Sequence, residues 1–233
     1  MADTTATRSS DSGPAVTKRK ASPQPPSPAA RSQRGNGLPQ PGRLVAMATA
    51  ILVLGIGLGM VAQSGAGARP SLNAVDVGFL QDMRTHHDQA VQMSLVFISK
   101  TDVNATLRQV AGEILLGQQF ENGAFVQLLD DAGKPTVNDT GTAMGWMGMA
   151  TSSTDMPGMA TDDQIASLRD ARGTAADRLF VQLMVAHHQG GIDMARYAQQ
   201  HGRWGKVRSL SGSIITAQTG EINDLDRIKG TLG

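Results

Sequence analysis

The sequence predicts an all-α protein, a four-helix bundle made of two repeated helical hairpins and preceded by a single N-terminal transmembrane helix. Three observations lead there. The first is a repeat: Phe79-Leu-Gln-Asp-Met83-Arg-Thr-His86-His87-Asp-Gln-Ala-Val-Gln-Met93 is matched by Phe180-Val-Gln-Leu-Met184-Val-Ala-His187-His188-Gln-Gly-Gly-Ile-Asp-Met194, at a constant offset of 101 residues. The second is that the downstream helices repeat as well, Ile114-Leu-Leu-Gly-Gln118-Gln-Phe-Glu121 matching Ile214-Ile-Thr-Ala-Gln218-Thr-Gly-Glu221 at an offset of 100. Each half is then a helical hairpin, and two hairpins related by a pseudo-twofold axis make a four-helix bundle. The third is composition. Hydrophobic content is 40% with only 3% aromatic, so the core is built from Leu, Ile, Val, Met and Ala.

Taken in order, residues 1–43 are rich in Ser, Thr, Pro, Arg and Lys, including Lys18-Arg19-Lys20. Such a segment buries too little apolar surface to offset its chain entropy and reads as a disordered cytoplasmic tail. Residues 44–62 form an uncharged run, LVAMATAILVLGIGLGMVA. At ~1.5 Å per residue the run spans roughly 28 Å, close to the ~30 Å of a bilayer's hydrocarbon. Arg31, Arg34 and Arg43 precede it and place that side in the cytoplasm, with everything after it extracytoplasmic. The basic region ahead of the run is longer than a whole signal peptide of about 15–30 residues, which favours a retained single-pass anchor in the cell membrane. Cleavage after Ala68, within the small-residue stretch Ala66-Gly-Ala68, would instead give a secreted form.

Residues 63–73 are a linker into a bundle domain over 74–231. Asn73 N-caps a helix running to about Lys100, with Val77, Leu80, Met83, Val91, Leu95 and Ile98 apolar. A second helix runs from about Asn104 to Asp131 and stops at Gly133-Lys-Pro135. Residues 136–160 break the pattern and form a Met-rich connection. Thr161-Asp-Asp-Gln164 has capping-box spacing for a short helix to about Ala171, and Thr174-Ala-Ala-Asp177 offers a similar start for a long helix to about Gln200. The last helix runs from about Trp204 to Ile228.

Charge divides along the same boundary. Residues 1–68 carry a net +5 and residues 69–233 a net −4. The basic half is the tail, and no basic patch is interleaved with aromatics, so nucleic-acid binding is not indicated. The chain has no cysteine and 12 methionines, which excludes disulfides and thiolate sites. Thioether sulfur stays a usable soft ligand where thiols would be oxidised.

Residues three, four and seven apart share a helix face. Met83, His86, Ala90 and Met93 therefore form one stripe, and Met184, His187, Gly191 and Met194 its counterpart. Spacing favours His86 and His187 as the inward imidazoles, although a modest helix rotation would select His87 and His188. Imidazole with thioether suits Cu(I), and imidazole also suits Cu(II) and Zn. As packing residues alone, a single His or Met on such a stripe needs no ion; joint recurrence of Met-x-x-His-His-(x5)-Met is what points to metal. Gln118, Glu121, Gln218 and Glu221 are candidate partners for the imidazoles. Asp193 has no repeat equivalent and can serve one site at most. Met144, Met147, Met149, Met156 and Met159 lie among Gly, Ser and Thr, too small to build a core, and read as a copper-capturing loop. His201 reads as a C-terminal dipole or capping residue.

On these residues the chain resembles the CopM-like family, a domain of unknown function. Its hallmark is a helix of the form Met-x-x-His-His-x-x-(Ala/Gly)-(Ile/Val)-x-Met followed by a helix with Gln-x-x-Glu. Both copies qualify over about residues 74–231, the first with Gln118 and Glu121, the second with Gln218 and Glu221. The resemblance implies a ferritin-like bundle outside the cytoplasm, and association with copper binding and resistance. Arg84-Thr85 departs from Val185-Ala186 in the second copy and suggests a wetter, weaker first site.

The expected function is thus a membrane-tethered copper-binding protein that buffers Cu(I) or exchanges it with a donor or acceptor protein, and not an enzyme. A metal-free scaffold bundle is the alternative. A di-iron or di-manganese oxidase is disfavoured, because it wants Glu-x-x-His on two helices and the chain has none.

Overall fold

The computed structural model describes residues 70–232. The expected tail at 1–43, the transmembrane run at 44–62 and the first part of the 63–73 linker lie outside the described residues. Among the described residues no helix is long and apolar enough to cross a membrane.

Among the described residues five α-helices are present: α1 (Ala74–Ile98), α2 (Ala105–Asp131), α3 (Asp162–Asp170), α4 (Gly173–His201) and α5 (Gly205–Lys229). Two 3-10 turns, Gly145–Met147 and Ser153–Asp155, interrupt the connection between α2 and α3. No strand occurs among the described residues, only an isolated bridge between Ala143 and Thr151.

The helix starts follow from local chemistry. Asn73 accepts from the Asp76 N–H and the Asp76 carboxylate accepts from the Asn73 N–H, a complete capping box. Asn104 caps α2 through Leu107 N–H, and Thr161 with Gln164 closes a second box on α3. The expected start of α4 needs correction: it begins at Gly173, one residue ahead of Thr174, without a side-chain cap. Asp177 is used elsewhere. Its carboxylate accepts from the Asn104 N–H of the other hairpin, at 2.9 Å.

α1 packs on α2 and α4 on α5; α1 also meets α4, and α2 meets α5. The core divides in two. One cluster joins Met93 and Phe97 of α1 to Phe180 and Met184 of α4. The other joins Phe79 and Met83 of α1 to Met194 and Ala198 of α4. The start of α1 therefore meets the end of α4 and the reverse, so the two run antiparallel, and the histidine pairs fall at the crossing between the two clusters. Phe97 stacks on Phe180 with ring centroids 4.3 Å apart. Burying side chains of this size contributes about 1.5–3 kcal/mol each.

Residues 132–161 form a strap fastened along α1. Gln81 Nε2 donates to the Pro135 and Val137 carbonyls, and Arg84 to Thr136. The buried Asp82 carboxylate accepts from Met144 N–H, the Trp146 indole and Asn138 Nδ2. Gln89 exchanges two hydrogen bonds with Ala160. On the α4 side the strap is held, among the described residues, by close packing, including Trp146 edge-on to Tyr197. A methyl group on Gly190 would collide with the Pro157 carbonyl, and Gly158 (φ +79°) lies against Ala186 and His187. Only residues without a Cβ permit that approach.

Candidate metal centre

All four repeat histidines and all four repeat methionines are fully buried. Helix periodicity had left open which histidine of each pair turns inward; both do, toward different neighbours. His86 and His187 meet across the α1–α4 crossing with ring centroids 3.8 Å apart and planes tilted by 32°. His86 Nε2–H donates to the Pro157 carbonyl at 3.0 Å, and His187 Nε2–H to the His86 carbonyl at 2.9 Å. A carbonyl can only accept, so in both rings the proton sits on Nε2 and Nδ1 carries a lone pair.

His87 and His188 reach the other way, toward α2 and α5. His87 Nε2 lies 2.7 Å from Glu121 Oε2 in an aligned hydrogen bond. His188 Nε2 is also 2.7 Å from Glu221 Oε2, but neither atom is satisfied as a hydrogen-bond partner. This second pair is a close polar contact, not an aligned bond. Four imidazole nitrogens, the Nδ1 atoms of His86, His87, His187 and His188, are buried without a partner among the described residues. Gln118 Oε1 and both carboxamide atoms of Gln218 share that condition. A methyl group on Gly191 would lie 2.6 Å from Gln218 Oε1, so the small residue there makes room for the carboxamide.

Burial dominates the electrostatics. It lowers His86 and His87 from 6.5 to about 3, with neighbouring histidines adding to the effect. His187 is held well below its ordinary value by the same desolvation, then by His86. Burial raises Glu121 from 4.5 to about 8, aided by the negative charge of Glu221. Near neutrality His86, His87 and His187 are uncharged and Glu121 retains its proton. Neutral imidazole is the form that ligates a metal.

The model for the Domain of unknown function (DUF305) matches residues 76–229. The chain belongs to the DUF305 family. It is similar to a DUF305 protein of Streptomyces coelicolor described as secreted, at 33% identity over 68% of this chain and 94% of that one, with a TM-score of 0.63. A DUF305 fragment from Deinococcus radiodurans is 26% identical over 70% of this chain and 100% of its own, with a TM-score of 0.61. CopM in its Cu(I)-bound form is 22% identical over 67% and 96%, with a TM-score of 0.50, a likeness of fold. No curated protein matches significantly.

Several expectations need correction in this DUF305 domain. Asp193 turns to the surface, where it pairs with Arg196, and stands apart from the centre. Arg84 does not wet the first site, since His86 and His87 are as buried as their counterparts; its guanidinium holds the strap. The methionines of the connection do not form an open loop. Met144 and Met156 are buried in the core, Met147 and Met159 pack against it, and Met149 alone is freely exposed. The small residues around them do not need to supply a core, because α1, α2 and α4 supply it.

Two carboxylates, Asp76 and Asp82, escaped notice in the sequence, and a third, Asp177, was read only as part of a local helix start. Asp76 and Asp177, also 101 residues apart, make reciprocal contacts: Asp76 accepts from the Arg203 and Trp204 N–H groups ahead of α5, Asp177 from Asn104 ahead of α2. Their recurrence was a readable signal. Asp82 has Leu183 as its repeat equivalent and gave none.

Among the described residues no three His, Asp or Glu groups stand close enough to hold an ion by themselves. Any ion here would need donors beyond imidazole and carboxylate to complete its shell. Met83 and Met184 are buried one turn before the unpartnered imidazoles and Met93 and Met194 about two turns after them, so each histidine pair is bracketed by thioethers on its own helix.

Proposed function

We propose that this chain is an extracytoplasmic, membrane-tethered copper-binding protein that buffers Cu(I) or passes it to and from a partner protein, without catalysing a reaction. One observation carries this reading: His86 and His187 each donate from Nε2 to a backbone carbonyl, leaving two neutral, buried, unpartnered Nδ1 atoms at the crossing of α1 and α4. A packing role would be served as well by apolar rings, without the cost of orphaned polar atoms. The Cu(I)-bound form of a protein with this fold supports copper as the cargo, and the relative described as secreted supports a location outside the cytoplasm. His86, His87, His187 and His188 would supply nitrogen, and Met83, Met93, Met184 and Met194 sulfur. Gln118, Glu121, Gln218 and Glu221 would orient the rings. The exposed Met149 is the one thioether of the strap placed to meet an incoming ion.

The test is a Cu(I) titration of the full chain against a competing chelator. Replacing the four repeat methionines by leucine conserves volume and should weaken binding by at least roughly tenfold, the scale at which even outer-shell changes act. Replacing the four repeat histidines by alanine should abolish it while helicity persists. Unchanged affinity in both variants removes the centre. The metal-free scaffold reading is favoured by one observation, that all four Nε2 atoms already have a protein neighbour within 3.0 Å. Protein purified from its native envelope without added metal, and free of copper, would favour it.

A further inference from the structure

The repeat supplies an internal control for what the outer surface of a hairpin should look like. At equivalent positions the first hairpin carries Leu95, Leu116, Phe120 and Val126, and the second Arg196, Thr216, Gly220 and Asp226. All four apolar residues are exposed, Leu116 at 69% and Leu95 at 52%. Among the described residues every exposed large hydrophobic on a helix lies on the first hairpin. A single exposed Leu needs no explanation; a one-sided substitution of this kind along one helix does. Between Ile114 and Leu129 the only charged residue of α2 is Glu121, and that one is buried toward His87.

We infer that the outer face of the first hairpin is the contact surface for a second copy of this chain, with α2 packed against α2 in antiparallel fashion. Gly112, Gly117 and Gly123 flank Leu116 and Phe120, and none has an atom within 4 Å of where a Cβ would stand. The face therefore offers both protruding side chains and the hollows that accept them, as a twofold interface must. Charge selects the orientation. Arg108 lies near the start of α2, Asp130 and Asp131 at its end, and antiparallel packing sets opposite signs against each other where parallel packing would oppose like ones. Charge also argues against a lipid surface: the exposed or half-exposed acids Asp88, Glu113, Asp130 and Asp131 outnumber the cations Arg84, Arg108 and Lys134 around the strip, a balance that anionic headgroups do not favour. Size sets the strength. The strip from Gly112 to Gln127 is about 24 Å long and about 10 Å wide, a few hundred Å² per protomer, against about 800 Å² for a standard interface. The dimer is reversible and concentration-dependent.

The absence of cysteine makes the test direct. In the full chain, single cysteines at 116, 119, 120 and 123 are compared with single cysteines at 216, 219, 220 and 223 under mild oxidation in lipid vesicles. Disulfide-linked dimers should form in the first series and not the second. In sedimentation velocity over a hundredfold concentration range, the wild type should shift from monomer to dimer, and the double variant Leu116→Asp, Phe120→Asp should stay monomeric with unchanged circular dichroism. Equal crosslinking in both series, a monomer at every concentration, or a double variant that dimerises like the wild type would each overturn the assignment. So would a double variant whose only change is loss of binding to vesicles.

Discussion

The His86 imidazole is fixed through one nitrogen and unpartnered at the other, and this determines how the apo domain responds to protons. His86 and His87 are depressed from 6.5 to about 3, and His187 is also well below its ordinary value. Below pH 6.5 the unfolded chain takes up protons that these folded rings refuse, so stability is fully present above about 6.5 and falls as the pH drops toward 3. Glu121 acts in the opposite sense. Raised from 4.5 to about 8, it holds in the folded state a proton that the unfolded chain releases, and its contribution is lost as the pH rises from 4.5 to 8. Three histidines outweigh one carboxyl in the acid range, and the carboxyl acts alone above it. Thermal melts of metal-free protein should show a maximum near pH 6.5, and Glu121→Gln should flatten the alkaline decline. Stability that does not change between pH 7 and 4.5 would contradict this account. Glycine chemistry gives a second prediction. Gly190→Ala drives a methyl group into the Pro157 backbone and should cost about 1–3 kcal/mol or more, the range for overpacking. Gly191→Ala meets only the end of the Gln218 side chain. The first repeat already carries Ala90 at that position, with Gln118 as the counterpart of Gln218, so urea unfolding should find a cost below about 1 kcal/mol.

Among the elements, the strap and the two hairpin turns depend on single carboxylates. Asp82 receives three hydrogen bonds from the strap. Asp82→Ala leaves the buried Met144 N–H and the Trp146 indole without their acceptor, which should cost about 2–4 kcal/mol. Trp146 should move to a more polar environment, read as a red shift in fluorescence. Asp76 and Asp177 clamp the turns of opposite hairpins but are not equal. Among the described residues Asp76 accepts from the Asn73, Arg203 and Trp204 N–H groups, whereas Asp177 accepts from Asn104 alone. Asp76→Ala should therefore destabilise more than Asp177→Ala. Helix starts with Asn or Thr caps were readable because a cap is a local interaction. The α4 start was misassigned because Asp177 makes a bond across 73 residues, which no local spacing encodes.

At the level of the molecule, the bundle brings two copies of one helix into antiparallel contact and places four imidazoles between two hydrophobic clusters. If Cu(I) is the cargo, a ligand that binds only the folded form raises stability by mass action, about 2.7 kcal/mol at a hundredfold excess over its dissociation constant. Adding Cu(I) or Ag(I) should raise the melting temperature of the wild type and leave the variant lacking the four repeat histidines unmoved. A wild type that is equally indifferent would count against a centre at the crossing.

The order of the helices, most of their caps, the repeat and the candidate ligands were written in the chain, because helix periodicity and capping act over three or four residues and a duplication preserves both. Three matters waited for the packed chain. Both histidines of each pair point inward; the strap methionines are core and not an open loop; one hairpin keeps an apolar outer face that its twin lacks. Each depends on which surfaces meet, and that is settled by contacts between residues tens to a hundred positions apart.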